Sequence, residues 1–352
     1  MKKIVRLMAT VLTAILFIAC QGNVNEVVEL KGEPVLQDTA YTGLWPVMFH
    51  DDIMFSRTGN RDYGFVANNL NNKQLGKPQE LFRIGNGHNE FHNLAIAEGK
   101  NSSIELIDCA GFGNKLLSLT LIENANSIES MKDSKTWKKY SLDNTPAYRC
   151  VFESFVPVSD SEVLIPGSTY KDLAHIMSIV DFKNQTVTPL DYWPDDGIKG
   201  DDLAKHSVYT DNSRIRRNNE NRYLYVCGEE RFAFIFSIEN KKMKKIKELY
   251  SVFPNYKCEN GNYTLKRSGK SMYVEANNEN IYTLLLDNKV VGNALISGGN
   301  IVEVFDWDGN LVRTLNLDKK GIFVKVNKEN NKLYLFSINS ETGEQTITMY
   351  NL

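Results

Sequence analysis

Residues Arg222–Ile246 read RYLYVCGEERFAFIFSIENKKMKKI. Tyr223, Tyr225, Phe232, Phe234 and Phe236 fall on alternate positions, the period of two that marks a strand with a packed face. Gly228-Glu229-Glu230-Arg231 separates two such runs, and Asn240-Lys241 turns the second into a charged third. Asn in that turn fits because its side chain bonds locally and tolerates a left-handed backbone. The same grammar recurs from Asp52 (DIMFS…YGFVANNLNNKQLG), Ser103 (SIELID…KLLSLTLIE), Glu162 (EVLIP…HIMSIVDFKNQTVTPL), Ile281 (IYTLLLD…IVEVFDWDGNLVRTLNL) and Lys332 (KLYLFSINSETGEQTITMYNL). Repeats spaced by roughly 50–60 residues build closed arrays of small sheets.

A further strand precedes each unit: Trp45–His50, His92–Ala97, Cys150–Val158, Ser207–Thr210, Ser271–Glu275 and Ile322–Val326. Four strands per unit and six units predict an all-β, six-bladed β-propeller of four-stranded antiparallel blades over residues 25–352. The turns after these inner strands are rich in Asn, Asp and Gly, among them Asn218–Asn221, Asn277–Asn280 and Asn327–Asn331. The final unit ends at Leu352 without an outer strand, whereas Asn25–Lys31 (NEVVELK) is a strand without a unit. Pairing it beside Gln345–Tyr350 is expected to close the ring and cover an exposed edge.

Residues 1–19 precede this body and are read separately. Lys2, Lys3 and Arg6 make a cationic start, and Leu7–Ala19 is apolar but short of the roughly 20 residues that span a bilayer. Leu16-Phe17-Ile18-Ala19-Cys20 resembles a lipobox, which implies a signal peptide over 1–19, acylation at Cys20 and a tether over 20–24. Multiple acyl chains hold a protein firmly on a membrane. The expected location is the cell envelope, on the outer membrane or the periplasmic face, with the membrane a partner through the anchor. Loss of the three basic leader residues lowers Lys+Arg from 41 to 38 against 43 Asp+Glu, a formal −5. That balance excludes a nucleic-acid binder, whose footprint is a basic face. Cys109, Cys150, Cys227 and Cys258 permit disulfides outside the cytoplasm, although Cys109 and Cys227 lie in strand-like runs where a cysteine serves as a small hydrophobe.

Arg83-Ile84-Gly85-Asn86-Gly87-His88-Asn89-Glu90-Phe91 resembles the Gly-x-Gly-x-x-Glu-Phe opening of a blade in six-bladed propellers of the NHL and TolB-like groups. Ile301–Leu311 (IVEVFDWDGNL) resembles a later-blade hairpin of TolB-like propeller lipoproteins from Gram-negative envelopes, although the Ser-Pro-Asp-Gly turns of TolB are missing. The resemblance implies a six-bladed propeller displayed from a lipid anchor. Read physically, Gly85 and Gly87 permit tight turning between blades, Glu90 is placed to accept backbone N–H groups and Phe91 to wedge between blades. A strand rather than a helix follows the glycines, so a phosphate cradle is not expected.

Ligand chemistry in such a ring is expected on the face that gathers the second-to-third-strand loops and the blade connections. The residues singled out there are Arg57, Arg61, Tyr170, Trp193, Asp196, His206, Glu229, Arg231 and Lys289. Asp195, Asp196, Asp201 and Asp202 are an oxygen-rich set suited to Ca²⁺, but DDGIKGDD lacks EF-hand spacing, so no cofactor is expected. The five histidines show no metal spacing, no Gly-x-Ser-x-Gly elbow occurs, and Glu229-Glu230 project to opposite faces of a strand. No catalytic or metal residue is therefore assigned. The expected function is a lipid-anchored binding or scaffold module for a protein, peptide or glycan. The alternative is a metal-assisted hydrolase, lactonase or lyase, which needs three or more Asp, Glu, Asn or His side chains converging in the channel.

Overall fold

The computed structural model of the 352-residue chain describes residues 26–37, 43–71, 73–100, 102–110, 116–142, 148–150, 154–199, 201–259, 262–266, 268–291, 294–327, 331–339 and 342–352. The chain forms six blades of four antiparallel strands in a propeller ring. From the channel outwards, blade 1 is Gly43–His50, Ile53–Thr58, Tyr63–Asn71 and Gln79–Arg83, and blade 2 is Leu94–Glu98, Ile104–Ala110, Leu116–Ile122 and Trp137–Leu142. Blade 3 is Val156–Ser159, Glu162–Thr169, Met177–Asp181 and Thr186–Pro189, and blade 4 is Arg214–Arg217, Tyr223–Cys227, Phe232–Glu239 and Lys242–Ser251. Blade 5 is Lys270–Ala276, Asn280–Val291, Ala294–Asp306 and Leu311–Gly321. Blade 6 takes Phe323–Asn327, Lys332–Ile338 and Gln345–Asn351 from the end of the chain and Glu33–Pro34 from its beginning.

Blade 4 shows why both residues of each alternating pair are apolar. Tyr225, Phe232, Phe234 and Phe236 pack with Leu164, Met177 and Ile179 of blade 3. Leu224, Val226, Ala233 and Ile235 face the other way and pack with Met272, Val274 and Ile281 of blade 5. A blade is thus sandwiched on both faces, and each such side chain removed from water contributes roughly 1.5–3 kcal/mol. The inner hairpins are closed by side chain as well as backbone: Asn218 Oδ1 accepts from the N–H groups of Glu220 and Arg222, and Asn277 Oδ1 from those of Glu279 and Asn280.

Three expectations need correction. The strand expected to close the ring beside Gln345–Tyr350 does not do so: Glu26–Leu30 runs parallel to Leu311–Gly321 as a fifth strand of blade 5, with Val28 opposite Leu315. The apolar partners decide this, because Val28 and Leu30 join the cluster of Leu315 and Leu317. The chain then bends at Gly32, and the short Glu33–Pro34 closes blade 6 against Met349 and Thr348. Proline is tolerated there because an outermost strand needs no donor on its free side.

Ser207–Thr210 is not an inner strand but the end of a helix, Asp202–Thr210. Asp201 caps it, its Oδ1 accepting from Leu203 N at 2.7 Å, a start signal that outweighs the β-propensity of the residues after it. The inner strand of blade 4 is Arg214–Arg217. Cys150–Val158 is likewise divided: Val156–Ser159 is the inner strand, whereas Tyr148–Cys150 pairs with the far end of Glu162–Thr169.

Candidate functional site

The inner strands surround a cavity of about 580 Å³, and residues of all six blades line it. It lies towards the mouth framed by the inner hairpins, where Asp51, Lys100, Asn219, Asn278 and Asn327 stand. Deeper in, Arg216, Glu275 and Lys325 come from three consecutive blades. Each sits two residues ahead of the hairpin asparagine of its blade, Asn218, Asn277 and Asn327.

These three side chains form one buried unit. Glu275 Oε1 accepts from Arg216 Nε at 2.7 Å, and Glu275 Oε2 accepts from Lys325 Nζ at 2.7 Å. Burial opposes ionisation of Glu275, but the adjacent Arg216 and Lys325 outweigh it and hold the carboxyl down at about 2. Arg216 is raised further above its ordinary value by Glu275, against the pull of burial. Tyr273, two residues back on the same strand, has Arg214 at 4.5 Å and Lys325 at 5.4 Å from its ring centroid. Burial pushes the Tyr273 phenol up, yet Lys325 and Arg214 bring it below its ordinary value.

Around the hairpin mouth, His50 and Glu105 carry buried polar atoms without a hydrogen-bond partner among the described residues. Neither ring nitrogen of His50 is hydrogen-bonded, although Glu98 Oε1 is 3.9 Å and Asp51 Oδ2 4.0 Å away. Glu105, on the second strand of blade 2, is 2% exposed and its Oε2 has no hydrogen-bond partner among the described residues. Burial pushes its carboxyl up to about 8, with Arg217 and Lys100 pulling down and Asp160 pushing up.

The residues singled out from sequence lie elsewhere, and none of the nine lines this cavity. Arg57 stacks its guanidinium 4.8 Å over Phe65. Arg61 and Tyr170 are exposed. Trp193 lies beneath the Lys205 ammonium, 5.1 Å from the ring. Asp196 is a buried hub, accepting from Lys205 Nζ at 2.8 Å, Tyr209 OH at 2.8 Å and Tyr256 OH at 2.7 Å. Burial pushes the Asp196 carboxyl up, but these donors bring it below its ordinary value. His206 is fully buried, with Nε2 3.4 Å from Ser168 Oγ and Nδ1 3.4 Å from Thr210 Oγ1. Glu229 accepts from Asn212, and Arg231 donates to the carbonyls of Ser271 and Leu286. Lys289 lies on Asn280–Val291, with its side chain outside the described part of the structure. Cys20 also lies outside the described residues.

In the blade-opening segment, Glu90 Oε2 accepts from Gly87 N at 2.8 Å and Phe91 is buried against Phe82 and Trp137. A Cβ on Gly85 would stand 2.1 Å from Glu90 Oε2, so a larger residue there must displace the carboxylate that accepts from Gly87 N. Of the acidic loop run, Asp201 caps a helix, Asp202 lies in its first turn and Asp196 is the hub just described. Cys227 and Cys258 are free thiols. Among the described residues no three His, Cys, Asp or Glu side chains gather as metal ligands do.

Arg216, Arg217, Glu275, Lys325 and Glu105 were not singled out from sequence. A signal exists for three of them: a charged residue two places before the hairpin asparagine in successive repeats, where a purely structural strand would carry an apolar or small one.

No family model matches the chain, and no curated protein matches it. Among solved structures, an oligogalacturonate lyase in complex with manganese is similar at 11% identity, a TM-score of 0.38, and coverage of 89% of this chain and 76% of that one. A structure of YCF48 bound to D1 peptide is similar at 9% identity, a TM-score of 0.43, and coverage of 91% and 97%. A functionally unknown protein from Desulfotomaculum acetoxidans is similar at 10% identity, a TM-score of 0.37, and coverage of 85% and 76%.

Proposed function

We propose that this protein is a binding propeller of the cell envelope, tethered through acylated Cys20, whose ligand occupies the central channel from the inner-hairpin mouth. One observation carries the reading. The channel holds about 580 Å³ of space, yet its central carboxylate is committed to two cations through both oxygens. A carboxyl held at about 2 and fully hydrogen-bonded neither gives nor takes a proton near neutral pH, so it serves as wall rather than as acid or base. The volume falls within the range of roughly 300–1,000 Å³ usual for small-ligand pockets, which fits a peptide end or a glycan unit better than a whole protein surface.

The test is a thermal-denaturation screen of peptides, glycans and small metabolites on the full-length protein in detergent. Ala97→Trp, which places an indole into the cavity, is screened alongside. A compound that raises the melting temperature of the native protein and not of the variant supports channel binding. Chemical turnover of that compound by the purified protein would return the metal-assisted hydrolase, lactonase or lyase alternative. The anchor is tested apart from this: Cys20→Ser should abolish incorporation of labelled fatty acid and release the protein from membranes, and retention of both overturns the tether.

A further inference from the structure

The charge on the cavity wall is unevenly compensated. Blade 4 contributes Arg216 and Arg217, blade 6 Lys325 and the blade 2 hairpin Lys100. Glu275 answers two of these, Arg216 and Lys325. Arg217 is half-buried and lines the cavity, and among the described residues its side chain makes no ion pair or hydrogen bond. Asp51 and Glu98 also border the space, but they flank His50 on the side of blades 1 and 2.

The carboxyl that acts on Arg217 is that of Glu105, which does not itself line the space. It sits behind the wall, its Oε1 3.3 Å from where a Cβ on the lining residue Gly99 would stand. The charged groups acting on Glu105 are Arg217, Asp160 and Lys100. With the carboxyl pushed up to about 8 by burial, it is mostly protonated at neutral pH and, among the described residues, leaves the guanidinium without a paired carboxylate. A half-buried guanidinium facing an open cavity, with no ion pair among the described residues, has N–H donors available to an incoming anion.

We infer that the channel binds a small molecule bearing an oxyanion, a carboxylate or a phosphate, with Arg217 as its anchoring contact. The inference rests on the channel-binding reading above. The planar guanidinium matches either group through two parallel N–H donors, and such charge-assisted bonds are the strong ones. Val156 and Pro157 of blade 3 and Ile96 of blade 2 give the same cavity an apolar side for the body of the molecule.

The experiment is titration calorimetry of the full-length protein in detergent with D-glucuronate, inorganic phosphate and D-glucose. At least one of the two anions is expected to bind, more weakly as salt is added, while glucose releases no heat. Glucuronate without phosphate identifies a carboxylate site, and the reverse a phosphate site. Arg217→Gln should weaken the bound anion by about tenfold or more, the size of a charged hydrogen bond, and Arg217→Lys by less. Arg61→Gln, exposed and outside the cavity, should change nothing. Anion binding to the native protein should weaken as pH rises through about 8, where Glu105 ionises beside Arg217, and Glu105→Gln should flatten that profile. Thermal melts of each variant establish that it is folded. Glucose binding as tightly as glucuronate, with Arg217→Gln unaffected, overturns the oxyanion assignment and leaves the channel reading standing. No heat from either anion at millimolar concentration overturns the oxyanion assignment, and the channel reading is then decided by the thermal-denaturation screen with Ala97→Trp.

Discussion

The Glu275 carboxylate accepts a 2.7 Å hydrogen bond from the Lys325 ammonium and so ties the inner strands of blades 5 and 6 together inside the channel. Its other oxygen does the same for Arg216 of blade 4. Three blades that meet mainly through apolar faces are thereby also joined by one ionic clasp at the axis.

Glu275→Gln should destabilise the fold by roughly 3 kcal/mol, because two buried cations lose their counter-charge. Urea denaturation at neutral pH measures it. Replacing the whole clasp (Arg216→Met, Glu275→Leu, Lys325→Met) should recover most of that loss, since no unpaired charge remains. The clasp also sets the acid limb of stability. Its carboxyl is lowered from 4.5 to about 2 on folding, so its contribution is complete above about 4.5 and is lost as pH falls towards 2. A shift of that size corresponds to ~3 kcal/mol, and a stability profile between pH 6 and 3 that is unchanged in Glu275→Gln would contradict it.

Glu105 acts in the opposite direction. Its carboxyl is raised from 4.5 to about 8, so the folded state holds a proton that the unfolded chain has released. Stability from this group is complete below about 4.5 and declines as pH rises through 8. Glu105→Gln keeps the neutral shape and removes the titration. The variant should melt at a higher temperature than the native protein at pH 8.5 and at nearly the same temperature at pH 4.5; equal melting at both pH values counts against the buried acid.

Asp196→Ala strands the hydroxyls of Tyr209 and Tyr256 and the ammonium of Lys205 beneath the connection from blade 3 to blade 4. Loss of a hub with a charged donor costs about 2–4 kcal/mol. Hydrogen exchange should show faster opening of residues 191–210 in the variant, while blades 1 and 2 keep native protection. Uniform acceleration across the ring would mean that the hub is not local.

Gly32→Ala tests the closure. A Cβ there would stand 2.3 Å from Thr348 Cγ2 and 2.6 Å from the Tyr350 ring, so the Glu33–Pro34 strand must lift from blade 6. A loss of about 1–3 kcal/mol is expected, the usual penalty of overpacking, and Gly32→Ala combined with Thr348→Ser should recover part of it. Limited proteolysis near residue 32 reports the lifting directly.

The repeat at Arg222–Ile246 and its five counterparts made the six blades legible, because strand alternation and Asn-rich turns are local properties written every few residues. The blade-opening glycines were legible for the same reason: Glu90 and the backbone it bonds lie within one short loop. Where a stretch carried two local signals, the reading failed. Ser207–Thr210 looked extended until the cap at Asp201 and the helix behind it are taken together, and Glu26–Leu30 was assigned to a blade by need of closure rather than by partners.

The chain's own order of residues therefore determined the class of fold, the number of blades and the place of their turns, since period and turn chemistry act over short distances. Tertiary structure alone decided which end-strand joins which blade, and that Arg216, Glu275 and Lys325 meet at all. Those residues are 50 or more positions apart, and only the rotation of successive blades about one axis brings equivalent rungs within 2.7 Å. The choice of mouth followed from the same cause: Trp193, Asp196, His206, Glu229 and Arg231 of the loops are taken up in packing and hydrogen bonds, whereas the open space is bounded by inner-strand positions that look ordinary one blade at a time.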